Sequence, residues 1–121
     1  MIRKRVSVIV ETSKGILLVK PYFPPRYVLP GGGLKKGESL VDAGRRELLE
    51  ETGLSCKKIK HLFDLEMFYQ KHFVFLAETR GEIKLNWENR GHVFLKGFSN
   101  DLGMSKGTRL ILEKFWNRKG F

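Results

Sequence analysis

The chain has 121 residues, with 23 Lys or Arg against 13 Asp or Glu and a formal net charge of +10 at pH 7. That length sets aside a second large domain, and 41% hydrophobic with 12% aromatic residues sets aside a disordered chain. No apolar run reaches the roughly 18 residues of a membrane helix. The opening segment MIRKRVSVIV lacks the apolar stretch of a signal peptide, and the lone Cys56 leaves no internal disulfide or Cys-based zinc site. The expectation is one domain over residues 1–121, cytoplasmic, monomeric or homodimeric, with no membrane contact. The basic residues are scattered, as in Arg3-Lys4-Arg5, Lys35-Lys36, Arg45-Arg46, Lys57-Lys58 and Arg118-Lys119. They suit a polyanionic partner such as a nucleotide or RNA, and equally a solvated Lys-rich surface.

Val6, Val8 and Val10 alternate with Ser7 and Ile9, which predicts a strand over 3–11. Thr12 to Gly15 reads as a turn and Ile16 to Lys20 as the returning strand. Pro21 to Pro25 is a loop, and Tyr27-Val28-Leu29 a short strand ending at Pro30. The glycine run Gly31 to Gly33 reads as a loop that can approach a ligand closely. Ser39 is an N-cap for a helix over Leu40 to Thr52, stopped by Gly53. Strands follow over 56–68, 72–79 and 92–96, with a short one at 82–86. A last helix starts near Ser105 or Thr108 and ends near Arg118, its core stripe placed on Leu110, Ile111, Lys114 and Phe115. The fold class is α/β (α+β): a mixed or antiparallel sheet with helices on its faces.

The helix after the glycine run carries too many carboxylates for stability alone. On a wheel of about 100° per residue, Val41, Leu48, Leu49 and Thr52, with Gly44 at the edge, form the expected core side. Glu47, Glu50 and Glu51 crowd the other side at i, i+3 and i+4 spacing, where like charges repel. One explanation is a solvated acidic face. The other is a hard divalent cation, which prefers such oxygen ligands. Arg46 is placed to pair with Glu47 or Glu50. Gly44, costly in mid-helix, allows close packing. Glu38 precedes the helix and can compensate its dipole.

Gly32, five residues, Glu38, seven residues, Arg46-Glu47-Leu48, one residue, Glu50-Glu51, one residue and Gly53-Leu54 together resemble the signature of the Nudix hydrolases, with every fixed position filled. The lead-in Tyr27-Val28-Leu29-Pro30-Gly31-Gly32 is also similar, with Tyr where Trp is frequent. The resemblance implies a sheet sandwiched between helices, with the box at 32–54 forming a loop, helix and loop. It also implies hydrolysis of a nucleoside diphosphate linked to another group, with Mg²⁺ or Mn²⁺. By the same resemblance Glu47, Glu50 and Glu51 are metal ligands, joined by the Gly31 carbonyl, while Arg46 orients Glu47 and Glu38 supports the metal site or the loop. Relatives also use a glutamate from a later loop; Glu88 is the candidate, ahead of Glu82. A carboxylate among Glu50, Glu51 and Glu88 takes the proton of the attacking water, and the sequence does not choose among them.

Candidate phosphate contacts are Arg3, Arg5, Lys20, Arg26 and Lys35. Candidate base-stacking rings are Tyr22, Phe23, Phe68 and Tyr69. His61, His72 and His92 lack metal spacing and read as structural. Tyr69 and Gln70 stand where relatives acting on ADP-ribose often carry a proline. The short chain looks most like MutT-like nucleoside triphosphate pyrophosphohydrolases. The alternatives are an ADP-ribose or dinucleoside polyphosphate hydrolase, an RNA 5′-end pyrophosphohydrolase, and a non-catalytic nucleotide- or RNA-binding module.

Overall fold

Val6, Val8, Ile9 and Val10 are each at most 1% exposed, because the first strand is covered on both faces. The computed structural model describes residues 2–97 and 102–118. That first strand, β1, spans Arg3–Thr12. Its even positions Val6, Val8 and Val10 pack with Ala43, Leu48 and Leu54. Ile9, facing the other way, packs with Ile111, Leu112 and Phe115. The alternation seen in the sequence therefore sorts side chains into two helix-covered layers.

The remaining elements are β2 (Gly15–Pro21), β3 (Gly31–Gly33), α1 (Leu40–Thr52), β4 (Ser55–Met67), β5 (Gln70–Arg80), β6 (Asn89–Leu95) and α2 (Lys106–Arg118). The sheet runs β4-β5-β1-β2-β6, with β3 also pairing β1. β1 and β5 are parallel, and the other pairs are antiparallel. This is the mixed sheet between helices that the sequence predicts. The register sets Arg5 beside both Gly33 and His72, and Ser7 beside Gly31. The glycine run, the start of β1 and the start of β5 thus meet at one place.

Several expectations are corrected. The glycine run is a strand, because a Cβ at Gly31 would lie 2.1 Å from the Val6 carbonyl oxygen. Only glycine lets this backbone pair so closely with β1. Tyr27 and Val28 form isolated bridges to Met104 and Val19 rather than a strand. Residues 82–86 form no strand; the Lys84 N–H donates to the Thr52 carbonyl at 2.7 Å, which holds the segment against the end of α1. The α2 stripe is Thr108, Ile111, Leu112 and Phe115, with Leu110 partly exposed. Lys114 instead lays its ammonium 4.9 Å from the Phe63 ring centre.

Met67 pairs with Gln70, so Phe68 and Tyr69 alone turn the β4–β5 hairpin, at φ 48° and 62°. Positive φ at both central residues is the geometry that Asn-Gly adopts freely and aromatic residues adopt under strain. Tyr69→Gly is expected to stabilise the fold by about 0.5–1 kcal/mol, as the left-handed strain is relieved. Urea denaturation measures it, and a lower midpoint would contradict the turn geometry.

Candidate active site

Ser39 opens α1 by accepting the Asp42 N–H, and Gly53, at φ 75°, closes it by donating its N–H to the Leu49 carbonyl. The buried residues of α1 are Ala43, Gly44, Leu48 and Thr52, while Val41 is 39% and Leu49 55% exposed. The core face is therefore rotated from the expected one toward Glu47 and Glu51, both half-buried. Glu50 remains exposed. The rotation follows from Gly44, which lets Ile59 and Val8 approach: a Cβ there would meet Ile59 Cδ1 at 3.1 Å and Val8 Cγ2 at 3.7 Å. Two glutamates are thereby pressed toward the glycine strand.

Arg46 holds that cluster together. Its Nε and Nη2 donate to the two oxygens of Glu38 at 2.7 and 2.9 Å. Nη1 donates to Glu47 Oε1 at 2.9 Å and reaches Glu50 Oε2 at 3.4 Å, and Nη2 also meets the Gly33 carbonyl at 3.1 Å. The bond from Arg46, with help from the Lys35 N–H, holds the Glu38 carboxyl down at about 2. The same carboxylate raises the guanidinium further above its usual range. Glu51 behaves oppositely. Burial pushes its carboxyl up to about 8; the 2.8 Å bond from the Gly31 N–H and the nearby Arg5 charge oppose this, while Glu47 and Glu88 add to it.

The donor set suits a hard divalent cation. Every candidate side-chain ligand is a carboxylate, and Glu47 and Glu88 burden Glu51 with negative charge that a dication would relieve. Gly32 makes room for one of them, since a Cβ there would lie 2.6 Å from Glu47 Oε1. Among the described residues no three acidic, His or Cys side chains stand ready to hold an ion together. Glu47 and Glu51 are instead turned to Arg46 and to the Gly31 N–H.

A cavity of about 1250 Å³ opens beside Glu51, between the sheet and the start of α2. Glu51, Gly31 and Glu88 line it, as do Arg5, Arg26, Tyr22, Phe23 and Phe68. Glu82 and Tyr69 are exposed and are absent from its lining. Arg3, Lys20 and Lys35 are absent too; Lys20 lies 5.4 Å from the Tyr27 ring centre. Glu38, Arg46, Glu47 and Glu50 stand outside the lining, on the Arg46 side of the helix. The cavity also takes in Trp87, Gln70, His72 and the first residues of α2. Sequence reasoning missed these. His72 joins only through the parallel register of β1 and β5, which no local pattern announces. Trp87 could have been found as the neighbour of Glu88.

Residues 1–106 match the NUDIX domain. The chain is similar to an RNA pyrophosphohydrolase of Pasteurella multocida, 40% identical over 62 residues, covering 50% of this chain and 31% of that protein. It is also similar to an 8-oxo-dGTP diphosphatase of Buchnera aphidicola, 29% identical over 86 residues, covering 69% of this chain and 64% of that one. The chain spans only 20% to 33% of the length of several relatives it matches. Among solved structures, one described as a nudix hydrolase family member from Chromobacterium violaceum superposes with a TM-score of 0.89, at 29% identity, over 97% of this chain and 78% of that one. With the box residues gathered around Arg46 and the matched fold beneath them, the chain belongs to the NUDIX domain family.

Proposed function

We propose that residues 1–121 form one domain that hydrolyses a pyrophosphate linkage in a nucleoside diphosphate linked to another group, a nucleoside triphosphate or related nucleotide being the favoured substrate. The observation that supports this most is one cavity bringing Glu51, Glu88 and Gly31 together with Arg5, Arg26 and four exposed aromatic rings. Carboxylates and basic side chains in the lining suit a metal-bound diphosphate, and exposed rings in the same lining suit a base.

Glu47, Glu50 and Glu51 would hold Mg²⁺ or Mn²⁺, with Glu88 and the Gly31 carbonyl as further oxygen donors. Such a cation neutralises charge on the pyrophosphate oxygens and lowers the pKa of a nearby water. The chain's own residues do the rest. Arg46 fixes Glu47 and Glu50 through its bonds, itself anchored by Glu38. Arg5 and Arg26 bind phosphate oxygens. Tyr22, Phe23 and Phe68 pack against the base. A carboxylate among Glu50, Glu51 and Glu88 accepts the proton of the attacking water. Among the described residues no helix is long and apolar enough to cross a membrane, and a cytoplasmic location fits a nucleotide substrate.

The test is a nucleotide panel with Mg²⁺ or Mn²⁺, the products being identified by anion exchange. Metal-dependent release of phosphate or pyrophosphate from at least one nucleotide is expected. A panel with no metal-dependent product removes the proposal. The net charge of +10 favours RNA 5′ ends as a second substrate class. In that case binding of 5′-triphosphorylated RNA weakens steeply as salt rises.

A further inference from the structure

His72 is 8% exposed, yet it lines the cavity. Its Nδ1 lies 3.3 Å from the hydroxyl of Ser7, itself only 6% exposed. Among the described residues Nε2 has no hydrogen-bond partner, and no fully buried side-chain nitrogen or oxygen is left unpaired, so Nε2 meets the cavity. Gly107 leaves it uncovered, since a Cβ there would lie 3.7 Å from Nε2 and 3.6 Å from Met67 Sδ.

The tautomer follows from the pairing. If Nδ1 carried the proton, the Ser7 hydroxyl hydrogen would have no acceptor among the described residues. If the hydroxyl donates to Nδ1, both groups are satisfied and Nε2 carries the ring proton. Burial and the Arg5 charge both favour the neutral ring. Arg5 stands beside His72 across the β1–β5 pairing, and Gly107 in the first turn of α2 lies against the ring. Met67 and Phe68 add an apolar wall. A single neutral N–H donor beside the Met67 thioether matches the polar edge and apolar face of a nucleobase.

We propose that His72, held by Ser7, is a specificity-determining residue that donates from Nε2 to the O6 oxygen of a purine or the O4 oxygen of a pyrimidine, so that bases with a keto group there are preferred over those with an amino group. An amino group placed there would face a donor in a positive field, leaving both unpaired. This inference rests on the proposed nucleotide hydrolysis.

The test compares kcat/KM for two matched pairs, GTP against ATP and UTP against CTP, with inorganic triphosphate as a base-free control. Wild type is expected to favour the keto member of each pair at least ~10-fold, the upper end for one net hydrogen bond. His72→Phe is expected to bring both ratios near one, a larger change than any in triphosphate turnover. His72→Gln, which keeps a donor, restores part of the ratio, and Ser7→Ala lowers it by freeing the tautomer. If wild type hydrolyses nucleotides without keto preference, or His72→Phe keeps the ratios, or His72→Phe slows nucleotides and triphosphate alike, this inference falls and nucleotide hydrolysis stands. If wild type hydrolyses no nucleotide, both fall. Where His72→Phe fails to fold, the Ser7→Ala ratio decides: an undiminished ratio overturns the assignment.

Discussion

Glu51→Gln is expected to slow turnover at least ~100-fold, the low end for losing a positioned base or ligand. The same change should make the metal-free protein more resistant to alkaline pH. Burial holds the Glu51 carboxyl up at about 8, above its ordinary 4.5. A raised folded-state value favours the protonated form inside the fold. That contribution is complete below about pH 4.5 and is lost as pH rises through about 8. Wild type without metal should therefore lose Tm from pH 5 to pH 9, and Glu51→Gln should lose less, because glutamine cannot ionise yet can still accept the Gly31 N–H. Glu50→Gln separates the two effects. Glu50 is exposed and tied only loosely to Arg46 at 3.4 Å, so turnover falls by a similar factor while the Tm profile matches wild type. Steady-state rates and thermal melts across pH measure both. Near-normal turnover in both variants, or parallel melting profiles for wild type and Glu51→Gln, would contradict the assignment.

Two adjacent glycines should fail in different ways. An alanine at Gly31 would put its Cβ 2.1 Å from the Val6 carbonyl oxygen, and backbone cannot swing aside as a side chain can. Gly31→Ala is expected to disrupt the β1–β3 pairing and cost about 3 kcal/mol or more, placing it in the severe tail of point substitutions. At Gly32 the Cβ would meet the end of a flexible side chain, Glu47 Oε1 at 2.6 Å. Gly32→Ala should fold with little loss but push Glu47 off its Arg46 bond. Turnover should then fall about tenfold, the scale of disturbing a metal ligand's supporting contacts. Urea denaturation and steady-state kinetics read the pair. Equal stability of the two variants would show that the glycine strand does not sit against β1 as described.

The box and the order of elements were legible because they rest on local signals. Ser39 and Gly53 bound the helix by capping chemistry, and Val6, Val8 and Val10 mark one face of β1 by period alone. The cavity was legible only in part. Arg5, Arg26, Tyr22 and Phe23 were named as residue types suited to phosphate and base, and they line it together. His72 was not, because it reaches the site through the β1–β5 pairing across 65 residues of separation from Ser7. Hydropathy alone orients the helix on Val41 and Leu49, which the structure leaves exposed. Small Ala43 and Gly44 lie deepest, and the two glutamates beside them follow the helix toward the sheet. Glycine has no strand preference of its own, so nothing local marks the strand at Gly31–Gly33; steric fit against Val6 decides it.

Calorimetric titration of Mn²⁺ into the wild-type protein, with a non-hydrolysable nucleoside triphosphate present, tests the metal assignment most directly. The account predicts saturable binding with proton release at pH 7, as Glu51 gives up its proton, and marked weakening in Glu50→Gln and Glu51→Gln. No binding by wild type, or equal binding by all three proteins, would contradict it.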